Sequence, residues 1–345
     1  MRRLIVCADG TWNKPDQKDR GKRKPSNVVK IARAIHPVAK DGVTQVVFYE
    51  EGIGTHWGVA DKYVGGGTGL GLSKNVLDCY RFLAQNYAEG DEVYLWGFSR
   101  GAYTVRSLAA FIDLIGIIPK SNVFYLPEGF KIYKIKDATA RKQEAEKFIE
   151  KNNCSPITIN FLGVWDTVGA LGVPLGFINK LLIKNYQFHN MSLPLCVTNA
   201  FHALAIDEHR KAFKPSLWDS TSSDNQIMEQ RWFVGAHTNI GGGYDNDGLA
   251  NIPLHWMKDK AKSIGLEFDE DYLKYFKPWK GDELRDSFST MYKILQLTKP
   301  YNRKIGMTAH GNEQVDESAL ERLNDTEQDP PYNSKSLKDW VARAD

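Results

Sequence analysis

Residues 92–103 read EVYLWGFSRGAY, and this stretch decides the fold of the 345-residue chain. The apolar run at 92–96 predicts a buried strand, and residues 102–112 predict a helix. Between them, Gly97, Ser99 and Gly101 form the pattern G-x-S-x-G. A sharply turned nucleophilic serine requires this strand–turn–helix context, and its flanking glycines let strand and helix approach without Cβ clashes. We therefore interpret Ser99 as a nucleophile at a helix N-terminus, with a structural turn and a capping serine as the alternative.

The same alternation of strands and helices extends along the chain. Apolar runs at 4–8, 43–49, 157–165 and 231–235 predict further strands, and residues 76–87 show helical periodicity. This pattern predicts an α/β fold of the α/β-hydrolase type, with a mostly parallel central sheet flanked by helices and insertions forming a cap. We expect one domain over residues 1–345, in which the more polar segment 258–345 packs as an extension or a cap.

A nucleophilic serine needs a histidine base and an acid that orients it. His237 is the best candidate base, because it lies just past the strand at 231–235 and before three consecutive glycines. Asp166 is the best candidate acid, since it ends an apolar run, although it could instead be a turn or capping residue. Asp207 and Asp245 are rival acids. The rival histidines are His202 and His255, in helix-like segments that suggest packing roles, and His209, in a charged stretch.

Two backbone N–H groups are expected to form an oxyanion hole. One is that of Arg100, directly after the nucleophile, and the other is that of Gly10 or Thr11, in a loop after the first predicted strand. The stretch CADGT at 7–11 is also similar to the start of haloacid-dehalogenase phosphatases. Cys7 stands where those enzymes need a nucleophilic aspartate, so we set that chemistry aside.

Charge and composition exclude several classes of protein. The chain has 45 basic and 42 acidic residues, a net charge of +3 that is too balanced to indicate nucleic-acid binding. A basic stretch at 18–24 is interpreted as a solvated loop, with a nucleic-acid or lipid-headgroup patch as the alternative. The sequence shows neither a secretory signal nor an apolar run long enough to span a bilayer. Residues 245–248 only faintly match a calcium loop, so we expect no metal and no cofactor.

Five segments together resemble one known family. They are ADGTWN (8–13), GFSRGAYT (97–104), GVWDTVG (163–169), HALAIDE (202–208) and GAHTNIGGGY (235–244). The chain resembles the α/β-hydrolase family that includes the first class of type VI secretion phospholipase effectors. The resemblance implies a Ser-Asp-His triad, which falls on Ser99, Asp166 and His237. Asn239 departs from the pattern, because members of the family often have Asp there.

The sequence therefore predicts a serine ester hydrolase, of the lipase or phospholipase type, that works through an acyl-enzyme. A soluble short-chain carboxylesterase or deacetylase and a catalytically silent binding module are the alternatives. The apolar segments 108–118 and 171–183 are candidates for an acyl pocket or for core packing. The expected partners are a lipid or ester substrate and a membrane surface, with protein partners left open. The expected localisation is cytoplasmic as synthesised, compatible with export by a secretion system that reads no signal peptide.

Overall fold

A computed structural model of the chain describes residues 1–11, 13–52, 69–169, 192–288, 300–308, 310 and 312–344. Seven strands form one sheet in the order β4-β1-β5-β6-β7-β8-β9, and every neighbouring pair is parallel. Two further strands, β2 and β3, form a small antiparallel hairpin. The strands are β1 (Arg3–Ala8), β2 (Lys18–Asp19), β3 (Lys22–Arg23), β4 (Gln45–Glu50), β5 (Glu92–Phe98), β6 (Phe161–Trp165), β7 (Asn199–Ala205), β8 (Ile227–Phe233) and β9 (Glu313–Val315).

Helices cover both faces of the sheet, because a parallel sheet buries both faces and needs helical crossovers between its strands. They are α1 (Asn27–Ala34), α2 (Gly69–Asn86), α3 (Arg100–Ile115), α4 (Leu126–Tyr133), α5 (Ala138–Asn152), α6 (His237–Gly241), α7 (Gly248–Lys262), α8 (Glu270–Leu273), α9 (Glu317–Leu323) and α10 (Lys335–Ala344). The predicted α/β fold with a mostly parallel sheet is confirmed.

Two apolar cores lie on opposite faces of this sheet. One contains the buried sides of α2, α3 and α5, and the other contains those of α1 and α7. The segment 108–118 belongs to the first core, where Leu108, Phe111 and Ile115 are fully buried. Core packing therefore accounts for this segment. The other apolar candidate, residues 171–183, lies outside the described residues.

Strand β7 was not expected, and the helical interpretation of His202 is wrong. This residue lies on β7, between β6 and β8 in the middle of the sheet. The sequence of β7, NAFHALA, is almost entirely buried. A strand with both faces buried shows no polar–apolar alternation, so its pattern imitates a helix.

The division of the chain into one domain with an extension stays a prediction. Within the segment 258–345, β9 adds an edge strand to the sheet beside β8. Helices α9 and α10 contribute Ala319 and Leu337 to a third apolar cluster, around Trp232. In the described parts of the chain, no helix is both long and apolar enough to cross a membrane.

The strand order places the predicted site at one edge of the sheet. The direction in which strands are added to the sheet reverses at β1, because β4 lies on one side of β1 and β5, the next strand of the sheet in the sequence, lies on the other. Ligands in open parallel sheets bind beyond the carboxyl ends of the strands at such a reversal. Ser99, Asp166 and His237 follow β5, β6 and β8 directly or within a few residues. We call this side of the molecule the catalytic edge.

Candidate active site

Ser99 occupies a strained turn between β5 and α3. Its backbone angles are φ 56° and ψ −118°, a conformation that a residue with a side chain rarely adopts. The flanking glycines are required by contact as well as by the turn. A Cβ on Gly97 would lie 2.6 Å from the Ala102 Cα, and one on Gly101 would lie 2.0 Å from the carbonyl oxygen of Ala8. The G-x-S-x-G pattern therefore packs the start of α3 directly against β1 and β5.

The structure brings Ser99, His237 and Asp166 into one hydrogen-bonded chain. His237 Nε2 lies 2.8 Å from Ser99 Oγ, and His237 Nδ1 lies 2.6 Å from Asp166 Oδ2. His237 is the first residue of α6, and Asp166 directly follows β6 in a left-handed conformation with φ 40°. All three side chains are nearly or fully buried. A nucleophile, a base and an orienting acid in this relation can carry out acyl transfer.

Arg303 completes the site from a part of the sequence where nothing predicted a role. Its Nη1 and Nη2 lie 2.5 and 3.0 Å from Oδ1 and Oδ2 of Asp166, and both side chains are fully buried. The guanidinium also donates to the carbonyl oxygens of Ala205 and Phe213, at 2.8 and 2.6 Å. This bidentate geometry fixes the carboxylate and neutralises its charge.

The charges of the site favour an ionised acid beside a neutral base. Burial by itself would raise the pKa of Asp166, but the Arg303 guanidinium and the hydrogen bond from His237 hold that pKa well below its usual range. Burial lowers the pKa of His237, and its contact with Asp166 only partly offsets this shift. His237 is thus unprotonated at neutral pH, the state in which it can accept a proton from Ser99.

The Glu208 carboxylate holds the backbone of His237 in place. It accepts the His237 backbone N–H at 3.2 Å, a bond from Ser287 Oγ at 2.8 Å, and a bidentate pair from Arg210 at 2.8 Å for each bond. Glu208 is fully buried. It lies in the HALAIDE segment, whose resemblance to the family was the one signal that could have singled it out.

A second buried carboxylate, that of Asp9, shapes the loop after β1. It accepts bonds from Gly10 N at 2.7 Å, Asn13 Nδ2 at 3.0 Å, Ser26 Oγ at 2.5 Å and Tyr49 Oη at 2.8 Å. Burial raises the pKa of Asp9, and these four donors oppose that shift. The loop is held firmly next to the turn that carries the serine.

The predicted oxyanion loop reaches the nucleophile. A Cβ on Gly10 would lie 3.3 Å from the Cβ of Ser99, so the loop backbone passes directly beside the serine. The Gly10 N–H is already donated to Asp9. The hydroxyl of Thr11 is buried and has no hydrogen-bond partner among the described residues. These facts favour Thr11 over Gly10 as the donor from this loop.

The rival acids are engaged elsewhere. Asp207 accepts bonds from Tyr332 Oη at 2.8 Å and from Gly235 N at 2.9 Å. Asp245 is paired with Arg285, and Asp247 of the same loop lies 2.9 Å from Lys30. Over the described ranges, no group of three or more metal-binding side chains is found.

The rival histidines also have structural partners. His202 Nε2 accepts the backbone N–H of Thr167 at 3.0 Å, and burial lowers the pKa of this histidine to about 3. His255 Nε2 lies 2.7 Å from the Phe276 carbonyl, and His209 Nδ1 lies 3.1 Å from the Tyr301 carbonyl. Asn239, the departure from the family pattern, accepts the Ala236 N–H at 3.2 Å and so caps α6.

Comparison with known proteins places the chain among relatives. A relative from Saccharomyces cerevisiae, the uncharacterized protein YEL023C, is 25% identical over 232 residues, covering 61% of this chain and 32% of that protein. A crystal structure of an uncharacterized protein from Pseudomonas aeruginosa has a TM-score of 0.50 at 15% identity, over 81% of this chain and 49% of that one. The structure of the Tle1 effector bound to the VgrG spike of the type 6 secretion system gives 0.39 at 18% identity, over 71% and 51%.

The chain thus spans about a third of the yeast relative and about half of each solved chain. The match to the Pseudomonas aeruginosa protein supports the fold alone. A family model described as "T6SS, Phospholipase effector Tle1-like, catalytic domain" matches residues 2–260, about three quarters of the sequence. The predicted family is confirmed: this chain belongs to the family of Tle1-like phospholipase effector catalytic domains.

Proposed function

We propose that the chain is a serine ester hydrolase that cleaves acyl esters of lipids or phospholipids. Family membership supports a lipase or phospholipase function. The observation that carries the finer proposal is the unbroken series of contacts from Ser99 Oγ through His237 to Asp166 and Arg303. Each of these contacts lies at the catalytic edge.

The proposed reaction has two stages. His237 Nε2 takes the proton of Ser99 Oγ while the oxygen attacks the ester carbonyl carbon. The tetrahedral intermediate collapses, His237 returns the proton to the leaving alcohol, and the acyl group stays on Ser99. A water molecule then attacks the acyl-enzyme with His237 again as base, which releases the fatty acid and restores the serine hydroxyl.

Asp166 holds the imidazole with Nδ1 protonated, so that Nε2 is free to accept a proton. It also stabilises the imidazolium that forms during each stage. Arg303 and Glu208 act as positioning residues in this scheme. Arg303 keeps the acid ionised, and Glu208 fixes the backbone from which His237 projects.

The oxyanion would be held at the N-terminus of α3. We propose the backbone N–H of Arg100 as one donor, since the partial positive charge of a helix N-terminus favours negative charge there. The second donor is Thr11, through its N–H and its buried hydroxyl. The close approach of Gly10 to Ser99 supports this assignment.

The description of the family as type VI secretion effectors supports a matching localisation. We propose export by a secretion system of that type. The proposed partner is the lipid substrate.

The test is hydrolysis of a phospholipid panel by the wild type and by Ser99→Ala, with the products identified by mass spectrometry. We expect fatty acid release by the wild type only, and the lysolipid formed will show which acyl position is cut. Ser121→Ala is the control and should act like the wild type, because this serine is exposed and its hydroxyl bonds to the neighbouring Asn122 at 3.3 Å. Turnover of short-chain esters without lipids would indicate the carboxylesterase, and no turnover with no fluorophosphonate labelling of Ser99 would indicate a binding module.

A further inference from the structure

The β2–β3 hairpin places two positively charged side chains opposite each other. Lys18 and Arg23 are cross-strand partners of the same sign, whereas the neighbouring pair sets Lys22 opposite Asp19, whose carboxylate also accepts a bond from Arg285 at 2.7 Å. Like charges directly opposite each other destabilise a strand pair. The side chains of Lys18, Lys22 and Arg23 are exposed, and none has an ion pair within the described ranges. An anionic partner outside the chain would remove the repulsion.

The hairpin is fixed at the catalytic edge. Arg20, in its turn, donates two bonds of 3.0 Å to Glu283 and lies 3.4 Å from Asp245. The chain then leads to Ser26, which caps α1 and bonds to Asp9 in the loop beside the nucleophile. The cations of the hairpin are therefore held on the side of the molecule where the substrate must enter.

An exposed aromatic residue lies at the same edge. Trp279 is 60% exposed, and its backbone N–H bonds to the carbonyl of Gly248 at 3.1 Å, the first residue of α7. Because α7 begins shortly after His237, this end of the helix faces the catalytic edge. Lys277 is exposed two residues earlier, and Tyr275 is 82% exposed. Tryptophan and tyrosine beside lysine are typical of the interface between a bilayer and water.

We propose that a rim surface, formed by Lys18, Lys22, Arg23, Lys277 and Trp279, docks the protein on an anionic lipid bilayer. The cations would contact lipid headgroups, and Trp279 would enter the boundary between headgroups and acyl chains. The inference rests on the proposed function, because an enzyme that cleaves membrane lipids must hold its catalytic edge against them. A bilayer fits better than a nucleic acid, because the chain as a whole is nearly balanced in charge and the surface includes an exposed tryptophan.

Binding is tested separately from catalysis by using Ser99→Ala as the parent protein. Its cosedimentation with phosphatidylcholine vesicles is compared with that on vesicles containing phosphatidylglycerol. We expect Lys18→Gln with Arg23→Gln to weaken binding to anionic vesicles by about 25-fold, roughly fivefold for each charge. Since the change removes a like-charge pair, thermal stability should not fall, and a loss of binding cannot then be blamed on unfolding.

Two further variants complete the design. Trp279→Ala should weaken binding to both kinds of vesicle by about fivefold, because it removes apolar contact rather than charge. Lys136→Gln with Lys142→Gln removes the same charge just before α5 and within it. Helix α5 packs on the other face of the sheet, so this variant should leave binding unchanged.

The proposal is overturned if the hairpin variant binds anionic vesicles as tightly as its parent, or if the α5 control weakens binding equally. It is also overturned if the parent binds duplex DNA but not vesicles. Failure of the proposed function would look different. The Ser99-containing protein would then bind vesicles with the dependence described above and release no fatty acid.

Discussion

Replacing Arg303 by Met tests whether Asp166, the proposed catalytic acid, depends on a buried cation. Methionine keeps an unbranched, flexible side chain but lacks the guanidinium, so the change removes two hydrogen bonds, of 2.5 and 3.0 Å, from a carboxylate that is fully buried. Removing one partner of a buried ion pair costs about 3–5 kcal/mol, since the remaining charge stays desolvated. For a domain of this size, the melting temperature should fall on the order of 10 °C.

The same variant should alter the pH dependence of ester hydrolysis. Without the guanidinium, the pKa of Asp166 rises, and so does the pKa of His237, because a positive charge near the imidazolium is lost. In the wild type, burial lowers the pKa of His237 below its ordinary value of about 6.5, so the acidic limb of kcat/KM lies below that pH. In Arg303→Met this limb should move to higher pH.

Thermal unfolding and a pH–rate profile on a soluble ester measure both effects. Arg303→Lys is the matched control, because it keeps the charge but loses the bidentate geometry, and it should fall between the wild type and Met in both measurements. If Arg303→Met has the melting temperature of the wild type and the same acidic limb in its pH–rate profile, Arg303 neither stabilises the fold nor affects the ionisation of Asp166.

Three other predictions follow from the turn and the loop beside it. The free energy of unfolding of Ser99→Gly, measured by urea titration, should be about 1 kcal/mol higher than that of Ser99→Ala, because glycine relieves the strain at φ 56°. Equal stability of the two variants would argue against strain. Gly101→Ala should unfold the protein or cost more than about 3 kcal/mol, because the new Cβ would lie 2.0 Å from a backbone oxygen. The control Gly169→Ala should be tolerated, because its Cβ would meet no atom of the described residues within 4 Å. Thr11→Val should lower kcat about 10- to 100-fold with little change in KM, whereas Thr11→Ser should not; an unchanged kcat in the valine variant would remove the Thr11 hydroxyl from the oxyanion hole.

The sequence predicted those parts of the candidate site that follow the ends of strands. Ser99, Asp166 and His237 each come after an apolar run, and the carboxyl ends of parallel strands share one edge of the sheet. A residue that directly follows a predicted strand can therefore be assigned to this edge without a structure. The same reasoning correctly pointed to the loop after β1 as a neighbour of the nucleophile.

Arg303 could not be predicted in this way. It comes 137 residues after Asp166 along the chain, and the described residues just before it, 300–302, form no strand. Its role depends on a tertiary contact with a carboxylate, and a single arginine has no local signature. Strand β7 was missed for a different reason, because burial on both faces removed the alternation by which strands are identified.

The late position of Arg303 has a consequence for biosynthesis. Arg303 follows Asp166 by 137 residues, and a ribosome adds about 5–20 residues per second, so roughly 7–27 seconds separate the synthesis of the two residues. Throughout this interval the serine, histidine and aspartate exist in the nascent chain, but the cation that completes them does not. The buried carboxylate of Asp166 gains its cation only once the part of the chain that carries Arg303 has been made and has folded against it. The newly made chain therefore passes through a stage in which this carboxylate lacks its ion-pair partner.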